Sequence, residues 1–454
     1  MRITRRNFGK TTLAAGATGA LASTFSLLPS SVLGANEKVN VAFIGCGGMG
    51  NGDAKAVART GLVNVVALCD IAMGTPHTAN LEREYPDVPR FKDFRQMFDK
   101  MADEIDACTV AVPDHAHFPI AMRAMSHGIG VYVEKPLAHT FEECEMMMAA
   151  ETKYKVVAQM GNQGHSGANF FQFKAWQEAG IIKDIHAVTA YMNKGRRWHP
   201  WTINNGFPTG EEMPEGLDWD TWLGTAQETP FSGKLHPGNW RGWYRFGNGA
   251  FGDWGPHTLD TVHRFLKLGY PSKITAEFRD GPNEWIFPMA TTIRFDHDAR
   301  GDMPACAVTW YDGTKNKPPR PPELEEDRKI EACGKILHGK ELTFKGTTHG
   351  SALRIIPEEK MREMAPDLPR DFGKNSGHHE NFVLAVKGEE QARSTFQVAA
   401  PLSQVFCLGV IAQRLGGELH FDPETKQVTN NKVANQLLKG PPPRKGWEEY
   451  YKLV

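Results

Sequence analysis

Short apolar runs alternate with amphipathic, helix-forming segments through the first part of the chain. In order, they are Val39–Ile44, Asp53–Arg59, Val63–Cys69, Ala107–Val112, Phe118–Ser126 and Gly130–Val133. Short, nearly continuous apolar runs are typical of strands that are buried on both faces. Strands that alternate with helices predict an α/β fold with a doubly wound parallel sheet. In such sheets, ligands bind beyond the carboxyl ends of the strands.

A glycine-rich loop connects the first predicted strand to the first helix. Residues 45–50 read Gly-Cys-Gly-Gly-Met-Gly, and Asp70 ends the next strand. This spacing predicts a Rossmann dinucleotide site, in which the glycines permit a tight turn and close approach to a pyrophosphate. The loop residues expected to contact the cofactor are Gly45, Gly47, Gly48, Met49 and Gly50. Asp70 would bind the ribose hydroxyls and repel a 2′-phosphate, so we expect NAD rather than NADP.

Length and composition narrow the class of protein. The chain has 454 residues, which favours two domains, and a formal net charge of −1, which argues against a nucleic-acid partner. We predict a nucleotide-binding domain over 36–158 and a substrate domain over 159–454. Seven scattered cysteines without a C-x-x-C pair do not form a recognisable disulfide framework.

The N-terminal residues 1–35 have the layout of an export signal. Arg5 and Arg6 precede an apolar stretch, and small residues follow it. The T-R-R-x-F-x-K pattern favours a twin-arginine signal and a periplasmic location, with an ordinary signal or a basic arm as alternatives. We expect no later segment to be long and apolar enough to span a membrane.

Several further motifs lie in register with the glycine loop. They are Val112–His117, Glu134-Lys135-Pro136, Met160–Gln163, Gly249–Asp260 and His379–Phe382. With these motifs the chain resembles the glucose–fructose oxidoreductase, inositol dehydrogenase and rhizopine-catabolism family (Gfo/Idh/MocA). The resemblance implies a second α/β domain with an open, mostly antiparallel sheet. It also implies a carbohydrate substrate and a homo-oligomer.

The resemblance assigns catalytic roles to Lys135, Asp253 and His257, and it adds Pro113, His117, Glu134 and Lys135 to the cofactor contacts. A helix is expected to start near Pro256 and to run to Leu266, with Asp253 just ahead of it orienting the imidazole. Such a histidine can take a hydroxyl proton, and a lysine can stabilise the developing oxyanion. From the residues alone, the favoured interpretation is that Asp253 is a helix cap and His257 a core histidine, and the resemblance reverses this preference. No metal site is expected, because the spacing matches no known ligand set.

Substrate contacts are less well defined by the sequence. The candidates are Gln163, His165, Arg197, Trp198, Tyr244 and Asp260. The segment 194–245 is rich in tryptophan, which suits stacking on sugar rings. A packed satellite core and an oligomer arm are the alternatives for this segment.

An exported protein that uses a nicotinamide cofactor cannot exchange it at every turnover, which favours a redox-neutral cycle. One design is a sugar oxidoreductase that keeps its NAD. The other is an NAD-dependent glycosidase that oxidises a ring hydroxyl, eliminates the aglycone, adds water and reduces the ketone again. The second design needs a further base, for which Tyr191, Tyr244 and His165 are candidates. A sensor without turnover is the third hypothesis.

Overall fold

In the computed structural model, described residues are 37–195, 206–208, 210–281 and 283–454. The first region contains a six-stranded parallel sheet in the order β3-β2-β1-β4-β5-β6. Its elements are β1 (Val39–Ile44), α1 (Gly48–Ala58), β2 (Val63–Cys69), α2 (Ala79–Glu84), β3 (Arg90–Phe91), α3 (Phe94–Met101), β4 (Ala107–Val110), α4 (Asp114–Ser126), β5 (Gly130–Val133), α5 (Phe141–Tyr154) and β6 (Ala158–Met160). The strand order reverses between β1 and β4, which opens a ligand crevice beyond their carboxyl ends.

The second region is built on a nine-stranded sheet in the order β13-β12-β11-β7-β10-β9-β8-β14-β15. Its strands are β7 (Ile185–Met192), β8 (Lys273–Asp280), β9 (Ala290–His297), β10 (Cys306–Asp312), β11 (Cys333–Gly339), β12 (Thr343–Gly346), β13 (Arg354–Ile356), β14 (Gly417–Asp422) and β15 (Gln427–Val428). Only the pair β7 and β10 runs parallel among these strands. The predicted fold class is therefore confirmed.

Helices cover this sheet and connect it to the first region. They are α6 (Ala168–Glu178), α7 (Trp219–Leu223), α8 (Gly249–Phe265), α9 (Glu358–Met364), α10 (His378–Lys387), α11 (Phe396–Leu415) and α12 (Lys432–Lys439). Phe251 on α8 packs against Phe295, Trp310 and Phe406, with ring centroids 4.8–5.5 Å apart. These buried aromatic contacts hold α8 against the inner face of the sheet.

Three predicted helix starts are corrected. The helix expected at Asp53 begins at Gly48. The helix expected at Phe118 begins at Asp114, directly after Pro113. Helix α8 begins at Gly249, so that Pro256 and Asp253 lie inside it rather than at its start. Gly249 has a φ of +63°, a conformation that glycine adopts without strain and that turns the chain into the helix. Burial of the first turn of α8 offsets the hydrogen bond that Pro256 cannot donate.

Helix α11 also differs from expectation. It is long and apolar enough to cross a membrane by length and composition, so the expectation that no later segment would be was wrong. However, 78% of its most apolar stretch is buried inside the protein. Its start, at Phe396, packs in the core of the first region, and Phe406 packs in that of the second. This is the pattern of a core helix that ties the two regions together.

Candidate active site

A cleft of about 520 Å³ lies beyond the carboxyl ends of the parallel strands. The glycine loop and Asp70 line one end of it, and Lys135, Asp253 and His257 line the other. Residues of the tryptophan-rich segment close the side between the two ends, among them Trp222 and Trp240. The fold thus brings the predicted cofactor loop and the predicted catalytic residues into one cavity.

Two positions of the glycine loop have no space for a larger side chain. A Cβ atom on Gly45, whose φ is +85°, would lie 2.2 Å from the carbonyl oxygen of Ala111. A Cβ on Gly50 would lie 2.0 Å from the carbonyl oxygen of Gly45. Helix α1 follows at once, and its N-cap residue Gly47 offers no side chain to cap it. Open backbone N–H groups at a helix start suit a pyrophosphate, so the loop fits a dinucleotide.

Asp70 is fixed by the backbone around it. Its Oδ2 accepts the N–H of Cys46 at 2.8 Å, and its Oδ1 accepts that of Ala72 at 2.8 Å. Each carboxylate oxygen can accept a further hydrogen bond, which leaves capacity for ribose hydroxyls. The residues next to Asp70 supply no cation, but the fold adds Lys92 and His77 to the lining of the cleft. The preference for NAD over NADP therefore stays a prediction.

The remaining predicted cofactor residues separate into two groups. Pro113, Glu134 and Lys135 line the cleft. His117 is fully buried, with its ring nitrogens 2.8 Å from the carbonyl oxygen of Pro136 and 2.9 Å from that of Val112. Burial lowers the pKa of His117. The ring connects the ends of two neighbouring strands, which is a structural position behind the cleft.

The catalytic end contains a chain of buried ionic groups. Lys135 Nζ donates to Asp253 Oδ1 at 3.0 Å and lies 3.9 Å from Glu134 Oε2. Arg241 Nε lies 3.7 Å from the same Asp253 oxygen, while its second arm donates to Asp114 at 2.8 Å. Burial opposes the charge of Arg241, but Asp114, Asp253 and Glu134 outweigh it and raise its pKa. Asp253 therefore binds two cations that the linear sequence places far apart.

The carboxyl group of Glu134 has a raised pKa in this arrangement. Burial, and after it the charge of Asp53, raises the pKa of Glu134 to about 8. Its Oε1 accepts a hydrogen bond from Gln163 Nε2 at 2.9 Å. Gln163 thus reaches the cleft only through Glu134, rather than lining it as a substrate contact.

His257 is held in its neutral form. Burial, then Lys135 and His349, lower its pKa well below the usual range. Its Nδ1 is buried and has no hydrogen-bond partner among the described residues. The ring stacks on that of His349, with centroids 4.0 Å apart and planes 27° from parallel. A neutral imidazole can accept a proton, as the predicted general base must.

Three of the other substrate candidates, His165, Asp260 and Tyr244, do not line the cleft. His165 Nδ1 is 2.8 Å from Oδ1 of Asp260, a residue of α8, and the same oxygen accepts from Asn162 at 3.0 Å. All three side chains are buried. Tyr244 packs its ring on Phe287 at 4.2 Å, and neither side chain lines the cavity. Arg197 and Trp198 fall outside the described residues.

The tryptophan-rich segment contains a satellite core, which was one of the alternatives predicted for it. Trp222 and Trp243 are buried in a cluster with Leu223, Leu235 and Phe246, which is a satellite core. Trp222 and Trp240 of this segment also line the cleft, and Trp254 of α8 lines it as well. The segment therefore forms a wall with its own core, and aromatic rings reach the cavity from it. Within the described ranges, no group of three or more His, Cys, Asp or Glu side chains is arranged to hold a metal.

Comparisons with known proteins agree with this geometry. The model of the oxidoreductase family with an NAD-binding Rossmann fold (GFO_IDH_MocA) matches residues 39–162, and its C-terminal alpha/beta domain model matches 169–283. An alpha-N-acetylgalactosaminidase of Shewanella oneidensis is 28% identical over 209 residues, which cover 44% of this chain and 42% of that protein. Matches of this kind thus span less than half the length of the curated glycosidase relatives.

The chain is also similar to a second curated relative and to a solved structure. An inositol 2-dehydrogenase/D-chiro-inositol 3-dehydrogenase of Lactiplantibacillus plantarum is 27% identical over 186 residues, 40% of this chain and 51% of that protein. The WlbA dehydrogenase from Bordetella pertussis, solved with NADH and UDP-GlcNAcA, superposes with a TM-score of 0.56 at 16% identity. That match covers 85% of this chain and 99% of the other, and it shows a shared fold.

Proposed function

Because the chain belongs to the NAD-binding Gfo/Idh/MocA oxidoreductase family, we propose that it oxidises a hydroxyl group of a sugar or sugar derivative with a tightly retained NAD. The observation that carries the proposal is the shared cleft, in which the glycine loop faces the pair Lys135 and His257. When bound, the nicotinamide supplies an acceptor for the hydride of the substrate carbon.

The residues of the catalytic end remove the proton of the substrate hydroxyl and stabilise the oxygen that it leaves. Lys135, held by Asp253 at 3.0 Å, donates a hydrogen bond to the hydroxyl oxygen and stabilises its developing negative charge. His257, neutral because of burial and the neighbouring cations, takes the hydroxyl proton. Arg241 and Asp114 hold Asp253 in place, so that Lys135 keeps its position through the cycle.

Retention of the cofactor is supported by how the tryptophan-rich segment covers the adenosine end. Lys92 Nζ donates to the carbonyl oxygen of Gly216 at 2.6 Å, and the N–H of Asp218 donates to that of Ile71 at 2.9 Å. Arg444 from the C-terminal tail then binds the outer face of this segment through Asp220 and Gly224. A cofactor beneath such a cover leaves slowly.

Retention also gives the predicted export signal a purpose. A protein that folds around its NAD before crossing the membrane by the twin-arginine route would remain active in the periplasm. Residues 1–35 are outside the described residues, and the export, like the predicted homo-oligomer, stays part of this proposal.

The redox-neutral glycosidase is the second candidate, and the glycosidase relatives favour it. Its requirement for a further base is not met by the three residues considered from sequence. His165 is bound to Asp260, and Tyr191 and Tyr244 are buried outside the cleft, where burial raises the pKa of both hydroxyls.

The deciding experiment uses the purified mature protein, without added cofactor, and a panel of 4-nitrophenyl glycosides with the matching free sugars. Reduction of the bound nicotinamide by a sugar, without nitrophenol release, would support the oxidoreductase. Sustained nitrophenol release would establish the glycosidase. Neither signal from any sugar would contradict both functions.

A further inference from the structure

His349 lines the cleft and stacks on His257. Its imidazole could accept a proton, but the proposed mechanism gives it no role. It lies in the connection between β12 and β13, ninety-two positions from His257 in the chain. Its ring also meets Trp254 edge-on, with centroids 5.4 Å apart. His349 therefore forms a cluster of three rings with His257 and Trp254, whose own ring centroids are 5.9 Å apart.

The backbone holds His349 there firmly. Its N–H donates to the carbonyl oxygen of His257 at 3.2 Å, and Thr348 Oγ1 donates to the same oxygen at 3.3 Å. The next residue, Gly350, accepts the N–H of Asn169 at 2.8 Å and packs closely on Gly164. His349 itself has a φ of +55°, a region that residues other than glycine seldom adopt. Such backbone strain is concentrated at functional sites.

The stacked arrangement disfavours a second proton on the pair. Two imidazolium rings at 4.0 Å would repel each other, and Lys135 and Arg241 add further positive charge near His257. Asp253 is the acid that favours a charge on His257. A proton taken up by one ring therefore requires that the other ring be neutral.

We propose that His349 is the further base of this site, which removes the proton from the carbon next to the oxidised centre of the sugar. The inference rests on the proposed function, which supplies the ketone that acidifies this carbon. It assigns the site to the redox-neutral glycosidase, with His257 serving the hydroxyl and His349 the C–H bond.

The elimination balances as a proton exchange within the pair. The C–H bond breaks, its proton moves to His349, and its electron pair forms a carbon–carbon double bond. The glycosidic C–O bond breaks, its electron pair leaves with the aglycone oxygen, and that oxygen receives the proton that His257 took from the hydroxyl. The pair thus carries one proton before and after the step. Addition of water to the double bond reverses the same transfers.

The test is His349→Asn, because asparagine tolerates a positive φ but cannot take up a proton. Lys155→Asn, at a residue with a φ of +53° outside the cleft, is the matched control. In D₂O with the glycoside panel, the wild type and the control should release nitrophenol and incorporate deuterium next to the oxidised carbon. His349→Asn should lose both by about 100-fold or more, since general base catalysis contributes about 10²–10⁴-fold. Reduction of its bound nicotinamide should continue.

Three outcomes separate the inference from the function it rests on. Deuterium incorporation by His349→Asn at the wild-type rate overturns the inference. A wild type that reduces its nicotinamide but incorporates no deuterium also overturns it, while the oxidoreductase stands. A wild type that does neither with any sugar removes both.

A second measurement protects the test against a variant that folds poorly. In ¹⁵N-histidine NMR spectra, His349→Asn and His349→Gln should both raise the pKa of His257, because a neighbouring charge is removed. An unchanged His257 titration in a folded variant would show that the rings do not share a proton and would overturn the pairing.

Discussion

The two ends of the cleft are built in different ways. The cofactor end comes from one continuous strand–loop–helix–strand segment, residues 39–70, and relies on backbone atoms packed against each other. The catalytic end joins distant segments through side chains: Lys135 meets Asp253 across 118 positions, and Asp114 meets Arg241 across 127. The first end depends on the absence of side chains, and the second on buried charges that neutralise one another.

The largest expected effect comes from removing the cation at the catalytic end. Lys135→Met should lower turnover by about 10²–10³-fold, the usual loss when one preorganised donor to a developing oxyanion is removed. The cofactor end should keep its NAD, because Asp253 still pairs with Arg241 at 3.7 Å and the glycine loop is not changed. Single-turnover reduction of the bound nicotinamide measures the loss. Lys340→Met, at an exposed lysine, is the control. Activity within about threefold of wild type would contradict the role of Lys135.

The difference between the ends explains how far the sequence could predict the site. The glycine loop and Asp70 were predictable because their geometry is set by neighbours in the chain. No such local signal placed His349, Arg241 or Asp114 at the catalytic end. Each contacts its partner there, His257 for His349 and each other for Arg241 and Asp114, across more than ninety positions of the chain. His165 and Asp260 were predicted as substrate contacts, but in the structure their buried side chains bind each other. The helix bounds at α8 failed for a related reason, because burial of Phe251 outweighed the local signal of Pro256.

At the cofactor end, replacing a single glycine by alanine should change both stability and NAD retention. In Gly50→Ala, the new Cβ meets the backbone of Gly45 at 2.0 Å, and a backbone atom cannot rotate away. We expect destabilisation of about 1–3 kcal/mol and at least about a tenfold loss of copurified NAD. Gly52→Ala, two residues along the same helix, meets nothing closer than 4.0 Å and should stabilise the protein by about 0.5–1 kcal/mol. Denaturant midpoints and released NAD distinguish the two. Equal behaviour would mean that the loop is not close-packed.

A smaller effect is expected in the polar layer behind the catalytic end. Burial lowers the pKa of Lys335 to about 8, although its Nζ donates to Asn169 and Thr261 at 2.8 Å each. Between about pH 8 and the ordinary lysine pKa of about 10.4, the unfolded chain holds a proton that the folded protein has released. Stability should therefore rise with pH in this window, and Lys335→Met should lose that rise. Urea midpoints for both proteins and for Lys340→Met, measured across the window, test it. Parallel curves for wild type and Lys335→Met would show that Lys335 keeps its charge.

The smallest expected effect concerns the cover over the cofactor end. Arg444 joins the C-terminal tail to the tryptophan-rich segment, with NH1 2.6 Å from Asp220 Oδ1 and 3.1 Å from Glu228 Oε2. Both acids are more than half exposed, so the ion pairs contribute about 1 kcal/mol at most. If the cover sets the rate at which NAD leaves, Arg444→Ala should release it up to about fivefold faster.

Dilution of the loaded protein into a scavenger for free NAD measures this rate. Arg83→Ala, which loses only an exposed contact to Asn80, should release NAD as the wild type does. Lowering the salt concentration should slow release from the wild type and leave Arg444→Ala unchanged, because exposed ion pairs are screened by salt. A release rate unaffected by Arg444→Ala would mean that the segment holds itself closed through Lys92 and Asp218. The cofactor would then be retained by hydrogen bonds to the backbone carbonyls of Gly216 and Ile71, without a contribution from the exposed ion pairs.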